Sequence, residues 1–137
     1  MIHINKNNNV MFLTGAGISR SAGIPPYYGD GGSYSKIERE WSKAVESILT
    51  AESFMENPKK IWDNIISKMY NQVISAIPTP SHSKISEMLS LNSNNFVITQ
   101  NIDGLHNKCR ESNNVIELHG SIYKSQCSAC GVLYSTK

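Results

Sequence analysis

The sequence predicts an α/β layered fold with a parallel sheet, and three observations carry that expectation. Short runs of apolar, β-branched and aromatic residues recur at Val10–Leu13, Phe96–Thr99 and Val115–Leu118. Segments with helical periodicity fill the interval between the first run and the second. The first run also empties directly into a glycine loop, Gly15-Ala16-Gly17-Ile18-Ser19. Strands interleaved with helices bury their apolar faces most simply as a parallel sheet with helices laid against it.

Taken in chain order, Val10–Leu13 is expected as a buried strand stopped by Thr14-Gly15-Ala16-Gly17. Ile18 to Ala22 has room for one helical turn, closed by Gly23 and prevented from continuing by Ile24-Pro25-Pro26. Tyr27 to Ser35 is glycine-rich and is expected as a mobile loop. A helix is predicted from about Lys36 to Thr50, with Ile37, Trp41, Val45 and Ile48 on one face. Asn57 as N-cap and Pro58 at the first helical position start another, whose stripe is Trp62, Ile65, Ile66, Met69 and Val73. It must end before Pro78. A third helix is expected over Ser81–Leu91, burying Ile85, Met88 and Leu89, and Asn92 to Asn95 is a polar break. The many asparagines and serines are attributed to genomic base composition more than to structure.

A chain of 137 residues can bury one real core, and 39% apolar with 18% charged residues fits a globular protein. The net charge of +2, with only Lys59-Lys60 adjacent among the basic residues, offers no stripe for nucleic acid. No run approaches the roughly 20 apolar residues that cross a bilayer. The polar Met1–Asn9 segment lacks the apolar middle of a secretion signal, so a cytoplasmic or nuclear location is expected, with no membrane partner. Of the three cysteines, Cys127-x-x-Cys130 has the spacing of metal or redox chemistry.

Physical chemistry gives each candidate site residue a task. Gly15 is expected to permit a turn that no side chain allows, and Gly17 to let backbone N–H groups approach a pyrophosphate. The next glycine, Gly23, comes six residues after Gly17, so this is not the full dinucleotide fingerprint, and a plain tight turn has the same look. Thr99 to Asp103 follows the second strand, at the edge where open α/β sheets place ligands, and is otherwise an ordinary polar loop. His119 ends the third strand, with an ordinary pKa near 6.5 that suits a general base. His82 and His106 are taken as structural side chains. Cys127 and Cys130 can share a tetrahedral ion that needs two further ligands; Cys109 is taken as an idle thiol.

The stretch Gly15-Ala-Gly-Ile-Ser-Arg-Ser-Ala-Gly-Ile-Pro25 closely resembles the cofactor loop of sirtuins, the silent-information-regulator family. Thr99-Gln-Asn-Ile-Asp-Gly-Leu-His106, Val115-Ile-Glu-Leu-His-Gly120 and Cys127-Ser-Ala-Cys130 resemble its later motifs, in the family's order, and Pro78-Thr-Pro-Ser-His82 is a weaker echo. The resemblance implies a Rossmann-like parallel sheet with a helical insertion and the start of a small zinc-binding domain, truncated. The Rossmann-like part would take about 1–35 and 78–119, the helical module about 36–77, and the zinc knuckle would begin at about 120–137. It further implies NAD and zinc as cofactors and acylated lysines of proteins as substrates, and says nothing of oligomeric state. Gly15, Ala16, Gly17, Ile18, Ser19, Tyr27, Gln100, Asn101, Ile102 and Asp103 would line the cofactor site. Gln100 and Asn101 would contact the nicotinamide ribose and Asp103 the carboxamide, with His119, Asn101 and Asp103 as the catalytic set. His119 would deprotonate a ribose hydroxyl after the acyl oxygen has displaced nicotinamide. Cys127 and Cys130 would be the first half of a four-cysteine zinc site.

The chain also departs from the family. Where sirtuins continue Ile-Pro-Asp-Phe-Arg, this chain has Ile24-Pro25-Pro26-Tyr27-Tyr28, which keeps an aromatic residue at Tyr27 and loses a charge pair. The family's remaining zinc ligands, Phe-Gly-Glu segment and Gly-Thr-Ser loop are not in the sequence. Weakened or altered deacylation and poor folding of this piece are therefore expected. A Tyr-x-x-Arg pair after Trp62 is absent, which leans towards uncharged acyl groups. An NAD hydrolase or ADP-ribosyl transferase on the same scaffold, or a non-catalytic zinc-bearing remnant, are the alternatives.

Overall fold

A computed structural model of the chain describes residues 3–26, 32–41, 44–109 and 114–136. The described chain forms two compact units, one of residues up to Ala22 and from Ile77 onward, the other Gly23–Ala76.

The second unit is helical: α1 (Ser33–Trp41), α2 (Val45–Ile48), α3 (Ala51–Glu56) and α4 (Pro58–Ile61). From α4 a π turn (Trp62–Ile66) leads straight into α5 (Ser67–Ser75). Ile37, Val45, Ile48, Ile61 and Ile65 form its core, with Tyr34, Ile66 and Met69 packed against them. Four expectations change here. The loop expected to reach Ser35 is already helix at Ser33, and Tyr27 and Tyr28 lie outside the described residues. The single helix expected to Thr50 is broken, because Ala44 sits at φ −61°, ψ 137°, and Thr50 caps a new helix by accepting the Ser53 N–H at 3.1 Å. Asn57 precedes Pro58 as expected but makes no side-chain cap; its own N–H instead closes α3 onto the Ser53 carbonyl at 3.1 Å. Trp62, expected on the buried stripe, is 47% exposed. The π turn is the reason: its wider ring inserts a residue into the helical repeat, and Ile61 and Ile65 take the inward positions.

The first unit holds a three-stranded parallel sheet of β1 (Met11–Thr14), β2 (Phe96–Thr99) and β3 (Val115–Glu117), with β2 in the middle. Leu13, Ile98 and Ile116 stand in register, as do Thr14, Thr99 and Glu117. This is the α/β, Rossmann-like arrangement the sequence predicts. The strand at the first apolar run is not buried as expected. Met11 (55%), Leu13 (64%) and Ile116 (47%) are exposed on one face of the sheet, while Val97 and Thr99 of the other face are buried.

Helices α6 (Pro80–Leu91) and α7 (Leu105–Cys109) complete the unit, together with a 3-10 helix (Ala16–Ala22) after β1. Thr79 caps α6 and Pro80 takes the first turn, so the helix begins one residue before the expected Ser81. His82 fills the place that Glu or Gln holds in the usual capping box, returning its ring nitrogen to the Thr79 N–H at 3.2 Å. Leu89 is buried as expected, and Ile85 and Met88 are half-buried.

Three of the asparagines, Asn92, Asn95 and Asn114, bond the backbone through their side chains. Asn95, fully buried, accepts the Val10 N–H and donates to the Met88 carbonyl, both at 2.8 Å. Asn92 donates to the carbonyls of Lys6 and Asn8, and Asn114 to those of Ser93 and Asn95. Their amides satisfy backbone groups at the N-terminal edge of the sheet that no strand partner reaches.

After β3 the chain forms an antiparallel ribbon of β4 (Lys124–Gln126) and β5 (Leu133–Ser135). Among the described residues no helix is long and apolar enough to cross a membrane.

Candidate active site at the carboxyl edge of the sheet

Parallel pairing delivers three segments to one edge. Thr14 pairs with Thr99, and the Gln100 N–H reaches the Thr14 carbonyl at 3.0 Å, so the glycine loop and Gln100–Asp103 leave the sheet side by side. The Leu118 N–H bonds the Thr99 carbonyl at 2.9 Å, and His119, exposed, follows at the same edge. This is the edge at which open α/β sheets bind ligands.

A buried cluster ties the first two segments together. The Ser19 hydroxyl donates to Asp103 Oδ2 at 2.6 Å, and Ser19 is only 1% exposed. Asn101 gives one amide proton to Ser19 Oγ and the other to the Gly15 carbonyl, both at 3.1 Å. Asp103 Oδ1 accepts the Leu105 N–H at 2.9 Å, and the Asn101 N–H is held by Thr99 Oγ1 at 3.1 Å. Ser19 spends its proton on the carboxylate and must therefore accept from Asn101, which fixes the orientation of that amide. Sequence reasoning placed all three in the site without seeing that they bond one another.

Beneath this cluster lie two neutral histidines. His82 Nδ1 accepts the Thr79 N–H and stands 2.8 Å from the Thr79 hydroxyl, which assigns the ring proton to Nε2. That nitrogen is buried without a hydrogen-bond partner among the described residues. His106 Nε2 lies 3.0 Å from Thr14 Oγ1, and its ring is tilted against that of His82 with centroids 4.7 Å apart. Burial pushes both pKa values down, that of His106 to about 4, where the neighbouring His82 adds to burial and Asp103 opposes it. Both keep the structural character expected of them. Thr14 and Thr79 are the supports that sequence reasoning missed; the Pro78–His82 echo was the signal.

The glycine loop needs one correction. Gly15 was expected to supply a turn closed to side chains, yet the left-handed glycines of the described chain are Gly23, Gly104, Gly120 and Gly131. A Cβ on Gly15 or Gly17 would meet nothing within 4 Å. Among the described residues, neither a left-handed backbone nor a packed neighbour requires glycine at these two positions. Ala16 and Ile18 are half-buried, and Ile18 offers its carbonyl to the Thr79 hydroxyl at 3.3 Å. Gln100 is exposed, while Ile102 is half-buried with its carbonyl bound to the Ile122 N–H at 2.9 Å.

Cys127 and Cys130 lie in the turn of the β4–β5 ribbon, half-buried and exposed respectively. Backbone N–H groups of Cys130 and Ala129, with the Cys130 thiol, hold the Cys127 thiol below its usual pKa. Cys109 is elsewhere, its sulfur 3.9 Å from Ser83 Oγ. Among the described residues no three His, Cys, Asp or Glu side chains gather as a metal site. The donor set is thus two thiols of the four that a closed zinc site takes.

Comparison with known proteins agrees with this arrangement. The Sir2 family model matches residues 15–137. An NAD-dependent protein deacylase of Aquifex aeolicus is 39% identical over 126 residues, covering 92% of this chain and 49% of the relative. The mitochondrial NAD-dependent protein deacylase sirtuin-5 of Xenopus tropicalis is 34% identical over 130 residues, covering 92% and 40%. Among solved structures, a mutant Sir2 homologue in complex with ADP-ribose superposes with a TM-score of 0.76 at 30% identity, over 91% of this chain and 47% of that one. A Sir2 homologue in complex with NAD gives 0.71 at 30% identity, over 91% and 46%. The chain spans about half the length of the curated relatives it matches. Open space at Gly15 and Gly17, an edge fastened by Ser19, Asn101 and Asp103, and a match across residues 15–137 lead to one assignment: the chain belongs to the Sir2 family.

Proposed function

We propose that this chain carries the nicotinamide-cleaving part of an NAD-dependent protein deacylase, acting on acylated lysines of proteins. The observation that carries the reading is the Ser19–Asp103–Asn101 cluster, which holds a carboxylate and an amide rigid beside an unobstructed glycine loop. A site that stabilises charge developing in a reaction works best when its polar groups are fixed beforehand. In the overall reaction nicotinamide leaves, the acyl group passes to ADP-ribose, and one water is consumed as the lysine amine is freed.

Within that reaction each residue has a task it is built for. The backbone of Gly15–Ser19 receives the pyrophosphate, because no Cβ stands in the way at Gly15 or Gly17. Gln100 and Asn101 contact the ribose, and the Asp103 carboxylate accepts from the carboxamide N–H. His119, exposed at the same edge, takes a proton from a ribose hydroxyl. Tyr27 screens the reacting sugar from water.

The test is nicotinamide release from NAD with and without an acetylated peptide, for the wild type and His119→Ala. Peptide-dependent release is the expected result, and His119→Ala, which removes a base used after nicotinamide has left, should stop the acyl group from passing to ADP-ribose. Release without peptide would favour an NAD hydrolase on the same scaffold, and peptide that changes nothing would overturn the deacylase reading.

A further inference from the structure

We infer that Tyr123 is a positioning residue for Asp103: its ring, and the strap of chain that carries it, clamp the backbone on both sides of that carboxylate. The effect on NAD rests on the deacylase reading; the clamp itself rests on geometry alone.

The need for a clamp lies in Gly104. It follows Asp103 directly, is buried, and stands at φ +65°. The Asp103 side chain closes a turn over it by accepting the Leu105 N–H at Oδ1, 2.9 Å away. Glycine takes positive and negative φ with nearly equal ease, so its own backbone preference does not hold this turn. If Gly104 turned over, the Leu105 N–H would leave Oδ1, and the carboxylate would lose one of the two bonds that fix it.

Tyr123 removes that freedom. A Cβ on Gly104 would stand 2.9 Å from Cε2 and 3.1 Å from Cδ2 of the tyrosine, so the ring edge lies where a side chain of residue 104 would be. Lys108, whose N–H bonds the Gly104 carbonyl at 3.0 Å, sets its Nζ over the same ring, 5.7 Å from the centroid. The other flank of Asp103 is held by the preceding strap residue: the Ile122 N–H donates to the Ile102 carbonyl at 2.9 Å. Ile122 and Tyr123 thus grip Ile102 and Gly104, with Asp103 between them.

The strap is anchored at both ends. At its start the Leu118 N–H bonds the Thr99 carbonyl at 2.9 Å, and the Gly120 N–H returns to the Glu117 carbonyl at 3.3 Å. At its end the Tyr123 carbonyl accepts the Thr136 N–H at 2.8 Å, and the Ile122 carbonyl accepts the Thr136 hydroxyl at 3.1 Å. The sheet on one side and the β4–β5 ribbon on the other therefore set where the ring stands. His119 begins the same stretch, so one run of chain carries the base and steadies the carboxylate. Losing the ring should loosen Asp103 without removing any group that touches NAD.

The experiment compares the wild type with Tyr123→Phe, Tyr123→Leu and Tyr123→Ala, by amide hydrogen exchange and by nicotinamide release from NAD with an acetylated peptide. In Tyr123→Ala the Leu105 amide should exchange roughly tenfold faster or more, while the amides of β2 keep their protection. The KM for NAD and the free nicotinamide concentration that halves the rate should rise together, by roughly tenfold, with the KM for peptide unchanged. Tyr123→Phe keeps the ring and should match the wild type throughout. Tyr123→Leu fills the space without a flat edge and should lie between; it carries the test if Tyr123→Ala does not fold. Leu105 exchange that stays slow without the ring, or rises only as β2 does, would overturn the clamp. So would a Tyr123→Phe variant as loose as Tyr123→Leu, or KM values for NAD and peptide that rise alike. A wild type that releases no nicotinamide counts against the deacylase reading instead, and Leu105 exchange then decides the clamp by itself.

Discussion

The Ser19 hydroxyl meets the Asp103 carboxylate at 2.6 Å although 84 positions of chain separate them. One end of this bond belongs to the 3-10 helix behind the glycine loop, the other to the segment that leaves β2. Loop and strand edge are thus fixed to one another by side chains beyond the point where strand pairing ends. Ser19→Ala removes the donor to Asp103 and the acceptor of Asn101 together, and should cost about 1–3 kcal/mol of unfolding free energy. A double-mutant cycle with Asp103→Asn, by urea unfolding, should show a coupling above about 0.5 kcal/mol. Single effects that simply add would deny the bond any role in fastening the loop.

Two glycines of the site should respond oppositely to the same substitution. Gly17→Ala places a methyl where nothing lies within 4 Å, so stability should hold or rise by about 0.4–1 kcal/mol through the unfolded chain. Gly104 stands at φ +65°, and a Cβ there would come 2.9 Å from the Tyr123 ring. Gly104→Ala should therefore destabilise by more than about 1 kcal/mol, through left-handed strain and the ring contact together. Thermal unfolding of the two variants compares them directly. A loss at Gly17 as large as that at Gly104 would mean that the loop needs its glycine for folding, not for a ligand.

Much of the site was legible because its residues are contiguous motifs at strand ends. Gly15–Ser19 and Gln100–Asp103 reach one edge for a reason the pattern itself contains: each follows an apolar run, and parallel runs end together. What stayed hidden depends on contacts between distant positions. Asn95 looks like any residue of a polar break, and only the arrival of Val10 and Met88 makes it a buried bridge. Trp62 fits an α-helical stripe, and a single π turn carries it outward. His82 is one histidine in a serine-rich stretch until Thr79 and Thr14, through His106, give it neighbours. Periodicity reports which face a regular element turns inward; it does not report where the element stops being regular.

The histidine pair makes a prediction about acid. His106 is neutral in the folded chain with its pKa lowered to about 4, against an ordinary value near 6.5 when unfolded. Between those values the unfolded chain binds the proton that the folded one refuses, so stability is full above about pH 6.5 and is lost as pH falls towards 4. The slope from this group stays below about 1.4 kcal/mol per pH unit. His82, lowered in the same direction by burial, adds to it. Urea unfolding at several pH values between neutrality and the acid side should show a steeper fall for the wild type than for His106→Gln. Equal slopes would mean that His106 is protonated in the folded chain.

Thr79 offers the sharpest separation of cap from side-chain network. Its hydroxyl accepts the His82 N–H at 3.4 Å, the first-turn donor that α6 leaves open, and lies 2.8 Å from His82 Nδ1. Its backbone N–H separately holds Nδ1 at 3.2 Å, so the capping box has one half in the side chain and one half in the main chain. Thr79→Ala deletes only the first half and should cost about 0.5–2 kcal/mol, the range of a lost Ser or Thr cap. Thr79→Ser keeps both halves and should lie within about 0.5 kcal/mol of the wild type, since Ser and Thr cap comparably. The tautomer of His82 should survive in both variants, because the main-chain donor to Nδ1 remains; nitrogen-15 shifts of the ring read it directly. A ring whose proton moves to Nδ1 in Thr79→Ala would show that the hydroxyl, and not the backbone, sets the direction of the buried Nε2–H.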